Sequence, residues 1–582
     1  MEFMQTHNLV VSTLSPVHVG CGVDFVPTEY VVDAHGTLHA FEPAALATLK
    51  SAQQISRGII SALDKGMPQE QLRAVHAALQ RNRDEIGTVA STHVKLAPGV
   101  FSHYKQTQDA RNDFNRNGVE RTSYNPFDQL PILPGSSIKG SLRTAILNTR
   151  KPDRAVLPEQ LDKQIFAFNM MIEEFDINGK KQLRLKAQHT KRDYDQVRKD
   201  IEKALAKQAG NLGEHWLGGK FATDPLRALK VGDACSLDPQ LEREICFCVN
   251  RNRAGRKSQA QSKGLYTRLE YVTEHQAALF KIAITMQNLT SIAGQRKQNG
   301  ELLAPTAANL ISMPTVIRAC NDYYLPRLEK DLQLTKALHP GSAWASSTET
   351  VMNSGLREEI KAGQVLLLRV GKHGGADNNT VDGRQIKIML NEDKRPTRDG
   401  REEKIRLYIF DTEPRTTWFC ADKLETPSDL LPHGWVVMST PDASWIKLLP
   451  GYTRRAERQK IIQEKEQQRQ QAEAEARQQA AKAAAHQIAL ASMTPNQRQT
   501  EAFKSAFAAR EEQLRGNKES MNGDFHNRAR KIAQDALAAT DWTSEEKRAL
   551  ADAIAEWLPK VVQGMDKDQL KKLKLSSLRG QV

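Results

Sequence analysis

Residues 130–145 read LPILPGSSIKGSLRTA, which is the pattern of a turn followed by the start of a helix. Pro134–Gly135 ends an extended apolar segment, and Ser136 or Ser137 is placed to cap a helix. Apolar side chains then recur at helical spacing, which predicts that one face of the helix lies in a core. These side chains are Ile138, Leu142, Ala145 and Ile146. The stretch therefore predicts a strand end, a tight turn and an amphipathic helix.

Two cations lie beside this apolar stripe. Lys139 and Arg143 are four residues apart, so they stack on one face of the predicted helix. Unpaired backbone N–H groups at a helix start, the two serine hydroxyls and these cations together suit a phosphodiester. A solvated helix that binds nothing is the alternative interpretation, because most helices with surface Lys and Arg have no ligand.

The same stretch resembles the PGSSIKG(A/S)(L/I)RTA signature of the RAMP proteins of type III CRISPR systems. A second stretch, LSPVHVGCG at 14–22 followed by PTEY at 27–30, resembles the opening of one RAMP family, the fifth subunits of the type III-A (Csm) complex. The segments Arg121–Phe127 and Asp224–Asp233 also resemble strings of that family. The resemblance extends over about the first 440 residues.

The resemblance implies a fold and a function. The expected fold is α+β, with two ferredoxin-like (RRM-like) halves, and the expected role is a non-catalytic subunit that caps the 3′ end of the guide RNA (crRNA). Its implied partners are crRNA, target RNA indirectly, the neighbouring backbone RAMP and small helical subunits, and host exonucleases that mature the crRNA. No cofactor, metal or membrane is implied. Alternatives are another type III RAMP subunit, or a metal-independent crRNA-processing endoribonuclease that uses His18.

The resemblance also assigns roles to individual residues. Lys139 and Arg143 are expected to pair with phosphates, assisted by Gly135, Ser136 and Ser137. The residues expected to line the rest of the groove are His18, Gly20, Gly371 and Lys372, with Arg227 and Lys230 as further candidates.

A glycine-rich segment, RVGKHGG at 369–375, follows a predicted strand. It lacks the spacing of a P-loop and of a dinucleotide-binding fingerprint. It resembles the glycine-rich loop that lies against the guide RNA in RAMP proteins, where glycine permits close approach of the backbone. An ordinary hairpin loop is the alternative.

Composition favours a polyanionic partner. The 582 residues carry a formal net charge of +14, and only 6% are aromatic. Backbone contacts are therefore expected to outweigh base stacking on many rings. No apolar run is long enough to span a membrane, and we expect a cytoplasmic protein. The six cysteines lack zinc-finger spacing, so we expect them to be packing residues, although Cys246 and Cys248 share one face of a predicted strand.

The chain is predicted to have four segments. Residues 1–225 form the N-terminal ferredoxin-like half with helical insertions, 226–450 the C-terminal half, 451–493 a charged linker helix and 494–582 a helical extension. Strands are expected at 8–14, 244–249, 277–285, 364–370, 416–421 and 434–439, with a hairpin over 30–41.

Helices are expected over most of 43–92 and 157–210, and over 299–320 with interruptions at two prolines. A break is expected at Gly218–Gly219. The stretch Leu96–Arg121 contains His103, Tyr104, Lys105, Arg111 and Arg116, and is predicted to be a basic loop that either orders on RNA or stays solvated.

Overall fold

A computed structural model describes residues 3–64, 66–109, 117–150, 159–177, 180–217, 220–236, 238, 241–254, 266–396 and 402–580. The chain forms two compact units, Met1–Glu457 and Arg458–Val582. None of the helices in the described ranges is long and apolar enough to cross a bilayer. Gly218–Gly219, Arg111 and Arg116, for which sequence predictions were made, lie outside the described residues.

The strands of the first unit follow one another along the chain with helices between them. They are β1 (Met4–Thr13), β2 (Gly20–Phe25), β3 (Tyr30–Val32), β4 (Thr37–Ala40), β5 (Thr92–Leu96), β6 (Val119–Thr122), β7 (Ile132–Leu133), β8 (Ile172–Ile177), β9 (Lys180–Leu185), β10 (Leu229–Val231), β11 (Ala234–Ser236), β12 (Arg243–Asn252), β13 (Tyr266–Val272), β14 (Phe280–Gln287), β15 (Leu366–Arg369), β16 (Ile386–Pro396), β17 (Glu402–Asp411), β18 (Thr416–Ala421), β19 (Leu431–Pro432) and β20 (Trp435–Ser439).

The α-helices of the two units are α1 (Ala52–Leu63), α2 (Pro68–Gln80), α3 (Arg83–Val89), α4 (Pro98–Asp109), α5 (Gly135–Thr149), α6 (Glu159–Asn169), α7 (Lys191–Leu217), α8 (Met313–Leu338), α9 (Ala343–Val351), α10 (Arg357–Ala362), α11 (Pro450–Ser492), α12 (Pro495–Leu514), α13 (Asp524–Ala538), α14 (Ser544–Val561), α15 (Lys567–Lys572) and α16 (Leu575–Leu578). The mixture of helices with antiparallel strands confirms the predicted α+β class.

One sheet, which we call sheet A, has the order β15-β20-β1-β14-β11-β7, with β10 also paired to β14. Its central pair, β1 and β14, is antiparallel from Met4↔Gln287 to Val11↔Phe280. Phe280, Ile282 and Ile284 are buried and alternate with the exposed Lys281 and Ala283, as the sequence pattern predicts. The buried face packs with α5 and α8 into the largest hydrophobic core.

A second sheet, sheet B, has the order β2-β6-β13-β12-β5-β4-β3, with β18 against β12 and β19 against β18. The predicted hairpin over 30–41 is present as β3 and β4. The core of sheet B contains the cysteines of β12 and β18. Cys246, Cys248, Cys320 and Cys420 are buried, as expected of packing residues, whereas Cys21 and Cys235 are exposed.

Two insertions that lie far apart in the sequence fold together. The segment α6–β8–β9–α7 and the hairpin β16–β17 share a separate core that includes Phe168, Tyr194 and Phe410, and we call the two together the insertion module. The side chain of Asn169 bonds both backbone groups of Phe410, at 2.7 and 2.9 Å. The sequence predicted only helix for 157–210 and missed the β8–β9 hairpin there.

Two other sequence predictions were wrong. Residues 98–109 of the predicted basic loop form helix α4, in which Tyr104 is buried and hydrogen-bonded to His76. The helix predicted over 299–320 begins only at Met313, where Ser312 caps it, and continues to Leu338. Pro314 lies in its first turn, where proline is tolerated, rather than interrupting it.

The second unit is helical. Thr494 and Thr543 each form a capping box with the side chain three residues later, at the starts of α12 and α14. Helices α12–α16 share a core that includes Phe503, Phe507 and Ile554. This matches the helical extension expected after residue 494.

Candidate nucleic-acid interface

Helix α5 begins differently from the prediction. Pro134 occupies the N-cap position, and neither Ser136 nor Ser137 caps the helix with its side chain. The Gly135 N–H donates a 2.7 Å hydrogen bond to Oδ1 of Asp233. A carboxylate of the protein thus binds the first helical amide, which is a position that favours anions. Ser136 is left exposed and Ser137 half-buried.

Gly135 is required by packing. An added Cβ would lie 2.4 Å from the carbonyl oxygen of Val231 and 2.6 Å from that of Gly232. The start of α5 is therefore in direct contact with the end of β10. The predicted apolar stripe of α5 is buried in the core of sheet A, which fixes the helix on this strand end.

The cations predicted on α5 and in the segment from Arg227 to Lys230 lie close together, and we call Lys139, Arg143, Arg227 and Lys230 the α5 cluster. Lys139 donates a 2.7 Å hydrogen bond through Nζ to the carbonyl oxygen of Leu229. Burial, and then the nearby charge of Lys230, lower the pKa of Lys139. Arg143 is 44% exposed and pairs with Asp224 at 3.1 Å.

Arg227 and Lys230 complete the cluster in different ways. Arg227 donates to the carbonyl oxygens of Ala222 and Leu303. Lys230 is exposed on β10. The α5 cluster thus combines two cations that hold the backbone, Lys139 and Arg227, with two that face solvent, Arg143 and Lys230.

The glycine-rich segment, Gly371–Gly375, packs against the N-terminal motif, and we call it the glycine loop. Gly371 has φ +86°, and an added Cβ would lie 2.2 Å from the carbonyl oxygen of His18. The Lys372 N–H donates to the same oxygen at 2.9 Å. The Lys372 ammonium forms an ion pair with Glu120 on β6. The loop is therefore held in place by His18, which the sequence assigned to the same groove, and by Glu120, which it did not.

His18 contributes through its backbone. Its side chain is 1% exposed, and its Nδ1 lies 2.8 Å from the carbonyl oxygen of Glu270. Burial lowers the pKa of His18 despite the nearby Glu120 carboxylate. Gly20 is exposed, and a Cβ there would lie 3.5 Å from Nε2 of His18. Gly20, and not the imidazole, therefore presents this motif to solvent.

Helix α5 joins the two groups of residues. Ser141, one turn after Ser137, donates through Oγ to the carbonyl oxygen of Arg369 at 2.7 Å. Arg369 lies two residues before Gly371, the first residue of the glycine loop. Tyr324 of α8 donates to the carbonyl oxygen of Ser141 and holds the helix from the core side. Ser141 is two residues from both Lys139 and Arg143, which is about 200° around the helix. The α5 cluster and the strand end that leads into the glycine loop therefore lie on opposite sides of α5, with the exposed Ser136 and Gly140 between them.

Sequence reasoning missed the carboxylates of this surface. Asp233, Asp224 and Glu120 each bind a group that was assigned to phosphate: the Gly135 N–H, Arg143 and Lys372. Asp224 and Asp233 are the first and last residues of the segment Asp224–Asp233, which resembles a string of the RAMP family. An Asp before Pro225 signals a cap, and Asp224 does accept from the Leu226 N–H.

In the described ranges, no group of three or more His, Cys, Asp and Glu side chains is arranged to hold a metal ion. Cys246 bonds Glu244, and Cys248 lies 3.6 Å from Nε2 of His433. Burial raises the pKa of Cys248, so this thiol stays protonated and packs as an apolar group. Within the described residues, the surface consists of cations, glycines and the carboxylates that pair with the cations.

Comparison with known proteins places the chain in a family. Residues 10–310, a little over half of the chain, match the model of the RAMP superfamily. A chain of the cryo-EM structure of a Csm–crRNA–target RNA ternary complex from a type III-A CRISPR-Cas system is 14% identical, with a TM-score of 0.35 over 75% of this chain and 100% of that one. The crystal structure of T. onnurineus Csm5 is 13% identical, with a TM-score of 0.38 over 63% and 89%. No curated protein matches the chain.

Proposed function

Because this chain belongs to the RAMP superfamily, we propose that it is a crRNA-binding subunit of a type III-A CRISPR ribonucleoprotein. In this proposal it caps the 3′ end of the guide, contacts the last backbone RAMP and the small helical subunits, and meets target RNA only through the guide. It supports crRNA maturation by host exonucleases, and thereby antiviral defence, without cutting RNA itself. The LSPVHVG and PTEY strings favour this subunit over other RAMP proteins.

The observation that carries the proposal is that α5 contacts both groups of residues. Lys139 and Arg143 lie on one side of the helix, and on the other side Ser141 bonds Arg369, which leads into the glycine loop. Helix α5 carries one of the two motifs that resemble the family, and the glycine loop contacts the other through His18. Arg143 and Lys230 supply exposed positive charge, and Gly20 and Gly140 leave room for close approach, since no atom lies within 4 Å of an added Cβ at Gly140. A phosphate backbone needs these two properties, charge and access.

Sequence-tolerant binding follows from the kind of contact. The cations of this surface pair with phosphates, and phosphates carry no sequence information. The net charge of +14 strengthens the attraction at long range and makes it sensitive to salt. Buried His18 has no access to RNA as a general acid or base, which argues for a binder rather than an endoribonuclease.

The test is a salt titration of single-stranded guide RNA with the full chain. We expect Arg143→Ala/Lys230→Ala to bind at least tenfold more weakly at low salt. Its log–log salt slope should be smaller by about 1.4, since each phosphate contact on a single strand contributes about 0.7. Both side chains are exposed, so the fold should persist, which a thermal melt verifies. Lys139→Ala is a separate variant because Lys139 also bonds Leu229.

The matched control is Lys330→Ala/Lys336→Ala, which removes two exposed cations from α8, outside the α5 cluster. The same samples are run on a denaturing gel. If both double variants lose the same amount of affinity for RNA, the α5 cluster is not a defined binding site. Shortened RNA on the gel would contradict the non-catalytic role.

A further inference from the structure

The turn between β6 and β7 presents a bare aromatic ring. Phe127 is 96% exposed, more than any other large hydrophobic side chain in the part of the chain that the structure describes. Its neighbours Pro126 and Asp128 are also exposed, and Asn125 is half-buried. The ring therefore stands alone on a polar turn, and it is not the centre of an apolar patch.

This turn is tightly held by its own hydrogen bonds. Asn125 and Leu130 close it through a backbone bond of 2.8 Å, and the Gln129 N–H donates to the Asn125 carbonyl oxygen at 2.8 Å. The Asn125 and Asp128 side chains accept from the N–H groups of Phe127 and Leu130 at 3.0 and 2.9 Å. The backbone that carries the ring is thus ordered before any ligand arrives.

The base of the turn is anchored in the protein. The guanidinium of the buried Arg121 lies 3.4 Å from the centre of the Tyr124 ring and donates to Oε1 of Gln129 at 2.8 Å. Gln129 adopts φ +61°, a conformation that non-glycine residues rarely take without such support. The turn is thus supported by the body of the protein as well as by its own hydrogen bonds.

The turn lies next to the proposed RNA surface. The Ser123 N–H donates at 2.6 Å to the carbonyl oxygen of Val19, which precedes Gly20 in the N-terminal motif. On the other side, β7 leads directly into Gly135 at the start of α5. The stem of the turn therefore links the two motifs, and Phe127 projects from its tip.

We propose that Phe127 is a stacking platform for one nucleobase of the RNA that this surface holds. This inference rests on the proposed function. Stacking needs one accessible aromatic face on a rigid support, and every base offers a complementary face. A protein partner is usually anchored by an aromatic residue inside a larger apolar patch, which the polar turn does not supply. Phosphates are then held by the α5 cluster while the ring fixes a base.

The test compares Phe127→Ala, Phe127→Leu and Phe127→Trp in the full chain with single-stranded RNA that contains 2-aminopurine. We expect the alanine and leucine variants to bind about 5- to 150-fold more weakly, the loss typical of one stacked base. Phe127→Trp should bind at least as tightly as the wild type. Quenching of 2-aminopurine should occur with Phe and Trp but not with Ala or Leu, and the salt slope should stay unchanged because no phosphate contact is lost.

Phe166→Ala is the matched control, since Phe166 is 69% exposed on α6 in the insertion module. If the wild type binds RNA and Phe127→Ala binds equally well, stacking is overturned while the proposed function stands. Stacking is also overturned if Phe127→Leu binds RNA as tightly as the wild type. A Phe127→Ala variant that keeps its affinity for RNA but no longer binds a neighbouring protein subunit would overturn it as well. If the wild type itself binds no RNA, the proposed function fails, and stacking fails with it.

Discussion

The backbone N–H of Lys372 donates a 2.9 Å hydrogen bond to the carbonyl oxygen of His18. This bond joins the glycine loop to the N-terminal motif, although the two are separated by most of the first unit. Gly371 makes it possible, because its positive φ and missing side chain let the loop backbone lie on that oxygen. The shape of the proposed RNA surface therefore depends on one glycine and one backbone contact.

Gly371→Ala should destabilise the protein by at least about 2 kcal/mol. The new Cβ would meet the His18 carbonyl oxygen at 2.2 Å, and alanine disfavours a φ of +86°. Urea denaturation measures the loss. Gly374→Ala in the same loop is the control, because its nearest neighbour is the Arg369 side chain at 3.5 Å and its φ is not positive. Equal stabilities for the two variants would show that the contact is unimportant.

Glu120→Gln should bind RNA more tightly. Glu120 pairs with the Lys372 ammonium and lies at the proposed surface, where it competes with phosphate and repels it. An exposed ion pair is worth up to about 1 kcal/mol, so we expect a gain of roughly two- to fivefold in affinity at low salt. Fluorescence anisotropy with labelled RNA measures it. Glu159→Gln on α6 should change nothing, and weaker binding by Glu120→Gln would mean that the carboxylate positions Lys372 for RNA.

Asn169→Ala should loosen the insertion module. The variant loses both hydrogen bonds to the Phe410 backbone, which hold α6 on β17, at a cost of about 2 kcal/mol. Hydrogen exchange should accelerate in peptides from 159–177, 180–217, 386–396 and 402–411, while those of β1 and β14 stay protected. Gln164→Ala, on the exposed face of α6, is the control. Uniform acceleration throughout the first unit would contradict a separate module.

Acid should destabilise the first unit through His275. Burial, and then the charge of Arg454, lower the pKa of His275 from its usual 6.5 to about 4. As the pH falls, His275 therefore becomes protonated near pH 6.5 in the unfolded chain but only near pH 4 in the folded chain. The resulting stability is present above pH 6.5 and is lost as the pH falls to 4, a change on the order of 3 kcal/mol.

His275→Asn should remove the contribution of His275 to this dependence, while the other buried histidines with a lowered pKa, such as His18 and His433, keep theirs. Asparagine does not titrate and accepts the φ of +53° at this position. Melting temperatures between pH 7 and pH 4 test it, with the exposed His35→Gln as the control for losing any histidine. A wild-type slope retained in His275→Asn would assign the effect to other groups.

Local patterns predicted the parts of the fold that depend on near neighbours. The alternation in β14 and the apolar stripe of α5 are each fixed by residues within one element. The insertion module could not be predicted, because its core joins Phe168 to Phe410 and neither segment is apolar enough alone. The predicted boundaries at 225, 450 and 493 stay predictions.

The sequence predicted which residues form the candidate surface, but it did not predict which other residues of the protein bind them. The motifs name Lys139, Arg143 and Lys372, yet a motif does not show that Leu229, Asp224 and Glu120 already bind them. Those partners come from distant segments that only the folded chain brings near. The burial of the His18 side chain could not be predicted for the same reason, because the residues that cover it, Glu270 and Tyr271 of β13, are distant in the sequence.

Whether the α5 cluster and the glycine loop bind guide RNA is tested by photo-crosslinking of 4-thiouridine guide RNA to the full chain, with mass spectrometry of the adducts. We expect adducts in peptides from 123–150, 227–236 and 368–375, which carry the Phe127 turn, the α5 cluster and the glycine loop. These adducts should disappear at high salt. Adducts confined to the insertion module or to residues 458–580, with none in these three segments, would contradict the claim that this surface holds RNA.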